Sequence, residues 1–90
     1  METKPLRPDR LALPHAIRTR AKRIRPLVRT VEEAISLIDK ELPQELRLLS
    51  RWTFARALLV EAERSKKQRD LIAAERQLKQ ALSNEGWLVE

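Results

Sequence analysis

The sequence predicts an α+β domain, mainly α, with a short N-terminal β-hairpin followed by three packed helices. Three observations carry this. Residues 46–62, LRLLSRWTFARALLVEA, repeat apolar side chains at helical spacing. Thr30-Val31-Glu32-Glu33 has the form of a capping box that starts a helix. Arg23-Ile24-Arg25 alternates polar and apolar just before Pro26, as a half-buried edge strand does.

Taken in order, residues 1–13 hold Pro5 and Pro8, many charges and little periodicity, and read as a flexible basic arm. Residues 14–90 read as one small domain. The hairpin is expected over about 16–28, with 16–19 pairing with 23–28 around a short turn at 20–22. That turn has no Asn-Gly or Gly-Gly signal, so a basic helix over 16–25 competes.

The first helix is expected over 31–42. Val31, Ala34, Ile35, Ile38 and Leu42 share one face, Leu37 broadens it, and Pro43 marks the stop. The second is expected over 44–63, with Leu48, Trp52, Ala55, Leu59 and Ala62 inward and Leu49, Phe54 and Leu58 widening that face. No glycine or proline separates it from the third. A break near 64–66 rests on the Ser-x-x-Gln form of Ser65 to Gln68, a second candidate capping box. The third helix is expected over 67–84, with Leu71, Ala74, Leu78, Ala81 and Leu82 inward. Gly86 supplies a left-handed C-terminal cap. Trp87, Leu88 and Val89 are expected to fold back on the core, beside the hairpin.

Composition narrows the function classes. There is no cysteine, which removes disulfides, thiolate nucleophiles and cysteine-based zinc sites and suits a reducing cytoplasm. The single histidine, His15, excludes a multi-histidine metal centre; as a lone histidine in a basic segment it reads as exposed. No stretch approaches the ~18 apolar residues of a membrane span, and no apolar run marks a secretory leader. Charge is uneven: residues 1–29 hold nine Lys or Arg against Glu2 and Asp9, a net +7, while residues 30–90 carry −1. Such asymmetry points to an anionic partner or to a solubilising segment.

From about residue 23 to 89 the chain resembles a family of small proteins from rhizobia and other alphaproteobacteria, catalogued as domain of unknown function nine hundred and eighty-two. Val28-Arg29-Thr30-Val31-Glu32-Glu33-Ala34-Ile35 looks like its strand leading into a helix start, and Leu42-Pro43 falls where it carries Trp-Pro. Leu78, Ala81, Leu82 and the run Glu85-Gly86-Trp87-Leu88-Val89 look like its closing helix and end. The family's other glycines are missing here, and Ala57 falls near the place of its cysteine. The resemblance implies a small bacterial α+β domain with a hairpin and three helices, and it implies no activity.

Catalytic chemistry finds little support. Glu32 and Glu33 point about 100° apart on a helix and read as capping groups. Asp39, Glu41 and Glu45 bracket Pro43 and read as a solvated acidic corner, with a cation site as the sharper alternative. No Gly-rich phosphate loop or nucleophile elbow is present, so no enzyme activity and no cofactor are expected. Two binding roles remain. The leading expectation is a cytoplasmic protein-interaction or regulatory module, as a homodimer or with another protein, using Trp52, Phe54 and Trp87. Sequence-nonspecific nucleic-acid binding would use Arg18, Arg20, Lys22, Arg23, Arg25 and Arg29, aided by Lys66 and Lys67. Lying on a membrane surface would need Ile17, Ala21, Ile24 and Val28 on one helical face, which a hairpin denies.

Overall fold

The computed structural model describes residues 11–89. Within them, β1 (Ala12–Arg18) pairs antiparallel with β2 (Leu27–Thr30). Helix α1 (Val31–Ser36) follows at once and continues into a π-helical segment, Leu37–Glu41. A short α2 (Gln44–Arg47), then α3 (Ser50–Ser65) and α4 (Gln68–Asn84), complete the chain. This is the expected α+β, mainly α, architecture of a hairpin followed by helices.

The hairpin sits differently from the expected 16–28. β1 starts at Ala12, so the arm expected over 1–13 ends by Leu11, and its first ten residues lie outside the described residues. Leu13 belongs to the core, and the Leu11 carbonyl accepts from the Val31 N–H at 2.8 Å. The register jumps between the pairs Ala12–Thr30 and Ile17–Val28, so the four residues Leu13 to Ala16 stand opposite Arg29 alone, a bulge in β1. Proline supplies no ladder donor, so a bulge accommodates it. β2 starts only at Leu27, after Pro26. Ile24 is buried nonetheless, as a loop residue.

The capping box at the start of α1 is half as expected. The Thr30 hydroxyl accepts from the Glu33 N–H (3.0 Å), but Glu33 returns to the Arg29 N–H (2.7 Å), one residue further back. At the end, the Leu42 N–H donates five residues back to Leu37 (3.1 Å). That wide turn inserts one residue before Leu42; Leu37, expected to broaden the inward face, is buried with Ile38 and Leu42, while Ile35 is only half-buried.

The expected second helix is two helices. The chain leaves helical geometry at Leu49 (φ −73°, ψ 144°), whose carbonyl then receives the Trp52 and Thr53 N–H groups at 3.0 Å. No proline or glycine announces this break. Trp52, Ala55, Leu59 and Ala62 are buried, while Leu48, before the break, is 75% exposed and Phe54, on the outer side of α3, is 54% exposed. Sharing a helical spacing with Trp52 means nothing for Leu48 once the helix is interrupted.

The break before α4 falls where expected, at Lys66, which takes a left-handed φ of 58°. The second capping box does not form. Lys67 is the cap residue, without a side-chain bond, and the Ser65 hydroxyl instead accepts from the Lys67 N–H (3.2 Å) and donates to Asp70. Along α4, Leu71, Ala74, Leu78, Ala81 and Leu82 are all buried as expected. Gly86 (φ 76°) then reverses the chain, with the Trp87 N–H donating to Leu82 and the Gly86 N–H to Ser83, both at 2.9 Å. The following residues do return to the hairpin. Thr19 bridges Leu88, the Arg20 N–H donates to Trp87 (2.9 Å) and the Val89 N–H to Arg18 (3.1 Å), an isolated antiparallel bridge just beyond the end of β1.

Candidate nucleic-acid interface

Helices cover one face of this small sheet and leave the other open. Side chains alternate along a strand. Ile17 and Thr19 point into the core, so Ala16, Arg18 and Arg20 are exposed. Arg18 and Arg20 stand about 7 Å apart, two residues along the strand. Ile17 pairs with the buried Val28, which puts Arg29 on the open face with Arg18 and Arg20. Lys22 and Arg23 are exposed in the loop that follows β1.

Few carboxylates neutralise it. Among the described residues, Arg29 has Glu33 at 3.8 Å, and the Arg20 guanidinium donates to the Leu88 carbonyl at 3.1 Å. Arg18, Lys22 and Arg23 have no ion pair with another described residue.

Arg25 stands apart from this group. Its backbone N–H and its guanidinium both donate to Glu41, at 2.8 Å to Oε1 and at 2.9 and 2.6 Å to Oε2. Its charge is therefore spent inside the fold, holding the loop against the end of the π-helical segment. Burial pushes the Glu41 carboxyl up, but the Arg25 bonds outweigh it and hold it below its ordinary value of 4.5.

Lys66 and Lys67 are not brought to the hairpin. They precede α4, whereas β1 meets the residues just after it, and a 17-residue helix separates the two by about 25 Å. The Lys66 ammonium donates to the Glu63 carbonyl at 2.8 Å.

The expected aromatic interface separates too. Trp52 is fully buried, its indole N–H donating to Glu85 at 3.2 Å, and is a core residue. Trp87 is half-buried against the core. Phe54 alone of the three is well exposed.

The acidic corner around Pro43 is dispersed. Asp39 is clamped by Arg56, Glu41 by Arg25, and Glu45 is exposed. Among the described residues no three histidine or acidic side chains gather to hold a metal ion.

One carboxylate escaped the sequence reading. Glu75, on α4, is buried and accepts from the His15 N–H (2.8 Å) and the His15 Nδ1–H (3.0 Å), with Lys79 at 3.1 Å. Glu75 stands four residues after Leu71 and three before Leu78, on the inward face of α4, and that spacing was the signal the sequence offered. Only the bulge, which frees the His15 N–H from the ladder, gives it a buried task. Burial raises its pKa, and the His15 backbone bond, Lys79 and the His15 ring together bring it below the ordinary 4.5.

No family model matches the chain, and comparison with curated proteins and with solved structures likewise finds no match. Among the described residues, no helix is long and apolar enough to cross a membrane.

Proposed function

We propose that this chain is a non-enzymatic, cytoplasmic binding module whose hairpin presents a basic face to the phosphates of nucleic acid without reading sequence. The observation that carries the proposal is the open face of Arg18, Arg20 and Arg29 with the exposed Lys22 and Arg23 of the loop after β1, where a single described carboxylate, Glu33, offsets five cations. Such a face neutralises phosphates and releases counterions. Kinship with the family named above is part of the same proposal and adds no activity.

The test is fluorescence anisotropy of a short random DNA duplex across a salt series. Five phosphate contacts predict that log K falls with log[salt] at a slope of roughly −4.5. Replacing Arg18 and Arg20 by glutamate should flatten that slope and abolish binding at moderate salt. Substitution is preferred to deletion because β1 and most of β2 lie within the first 29 residues. Absence of binding at low salt, or binding indifferent to salt, refutes the proposal.

A protein-interaction role, including a homodimer, is the second reading. The exposure of Leu48, Leu49 and Phe54 near the α2–α3 break favours it. A stable dimer mass that falls to the monomer on Phe54→Ser would support it.

A further inference from the structure

The hairpin has a free edge. β1 pairs with one side of β2, and among the described residues no strand pairs with the other. An open edge invites pairing with another chain, and proteins that stay apart carry devices against it.

The donors of this edge can be placed. Ile17 and Val28 are partners, and the Thr19 N–H donates to Pro26 at 2.9 Å. Hydrogen-bonded positions alternate along an antiparallel ladder. The Val28 backbone therefore faces β1, while Leu27 and Arg29 turn their N–H groups to the free edge. The preceding Pro26 has no N–H to offer.

The Arg29 N–H is taken. Glu33 Oε1 accepts it at 2.7 Å. Helix α1 fixes Glu33 there, since the Glu33 N–H donates to the Thr30 hydroxyl at 3.0 Å. A carboxylate that only completed a capping box would accept from the Thr30 N–H. Glu33 instead reaches one residue further back, onto the strand edge.

We propose that Glu33 closes a strand-pairing edge, and that the occupant it keeps out is β2 of a second copy. An antiparallel copy centred on Val28 sets Leu27 of one chain opposite Arg29 of the other, so the two arginines do not face each other. Val28 and Thr30 are β-branched and suit a strand, and neither glycine nor proline interrupts Leu27–Thr30. Neither phosphate binding nor the exposed Phe54 enters this inference.

Amide exchange of the full chain is the first test. A hydrogen bond to a charged group is worth about tenfold or more in an opening equilibrium, so the Arg29 amide should exchange slower than that of Leu27 by this factor, after correction for intrinsic rates. Light-scattering mass over a concentration series is the second. Glu33→Ala should associate beyond the parent mass, and its Leu27 and Arg29 amides should gain protection as concentration rises. Glu33→Gln keeps an acceptor oxygen and should stay at the parent mass. Thr30→Ala removes the cap bond but leaves the Glu33 carboxylate, so it should stay there too. Equal exchange of the two amides in the parent overturns the proposal, whether or not Glu33→Ala folds. So does a parent mass for Glu33→Ala, equal association of Glu33→Gln or Thr30→Ala, or association that leaves those two amides unprotected.

Discussion

The α3–α4 pair and the β1–β2 hairpin share one core but close it by different means. Between the helices, small and large side chains alternate, with Ala55, Leu59 and Ala62 on α3 facing Leu71, Ala74, Leu78 and Ala81 on α4. All of these are apolar, and each helix satisfies its own backbone. The hairpin cannot do the same. Pro14 and Pro26 withdraw ladder donors, the register jumps, and two backbone N–H groups turn to carboxylates far along the chain, His15 to Glu75 and Arg25 to Glu41. Helices built on local repetition are self-sufficient, whereas a four-residue strand beside a bulge depends on what the helices lend it.

The largest effect should come from the apolar region. Trp52→Ala removes a fully buried indole and should cost about 3–5 kcal/mol, much of the ~5–15 kcal/mol a domain commonly has. Loss of a cooperative transition in urea would be the outcome. A midpoint close to that of the parent chain would refute this account of the core.

Next comes the borrowed carboxylate. Glu41→Gln weakens three bonds from Arg25 and leaves partly buried donors poorly met, a cost of about 1–3 kcal/mol. Hydrogen exchange sharpens the comparison. The Thr19 amide, bonded to Pro26, should lose protection while α4 amides such as that of Leu78 keep theirs relative to global stability. Uniform loss would mean that the two regions are one cooperative unit.

Acid should act on the same contrast. The folded-state pKa values of Glu41 and Glu75 are lowered from 4.5, and that of Asp39 from 3.8 under the hydrogen bond and charge of Arg56. Each therefore adds stability that is fully present above its unfolded value and is lost as pH falls through its lowered folded value. Urea midpoints should hold steady from pH 7 to 5 and then drop below about 4.5, where carboxylates take up protons. Glu41→Gln should shrink that drop. An unchanged acid response in the variant would remove Glu41 from the explanation.

The smallest effect belongs to Phe54. At 54% exposure it supports little packing, so Phe54→Ser should move stability by no more than about 0.5 kcal/mol. A larger loss would show that the outer side of α3 is part of the core after all.

How far the sequence could be read follows the same division. The inward residues of α4 and the Gly86 reversal were legible, because each expresses a local period or a local backbone need; the break near Lys66 fell in the right place although the capping box that suggested it does not form. Leu48 misled because a periodic pattern assumes an unbroken helix, and Leu49 breaks it without a proline or glycine; Phe54, within α3, lies about 200° around the helix from Trp52 and so faces outward. The basic face was legible as charge, but which cations remain available was not. Arg25 and Arg23 have the same local chemistry, and only Glu41, sixteen residues away from Arg25, separates their roles.

By itself, then, the sequence determined the class of fold, the order of elements, most of the helical core and the concentration of positive charge at one end. These depend on interactions within a few residues, where spacing and side-chain type suffice. Tertiary structure alone decided the strand register, the burial of Trp52 against the exposure of Phe54, and the partners of Arg25 and Glu75. Those outcomes depend on groups distant in the chain competing for the same donors, acceptors and apolar surface, and that competition is settled only when the helices pack.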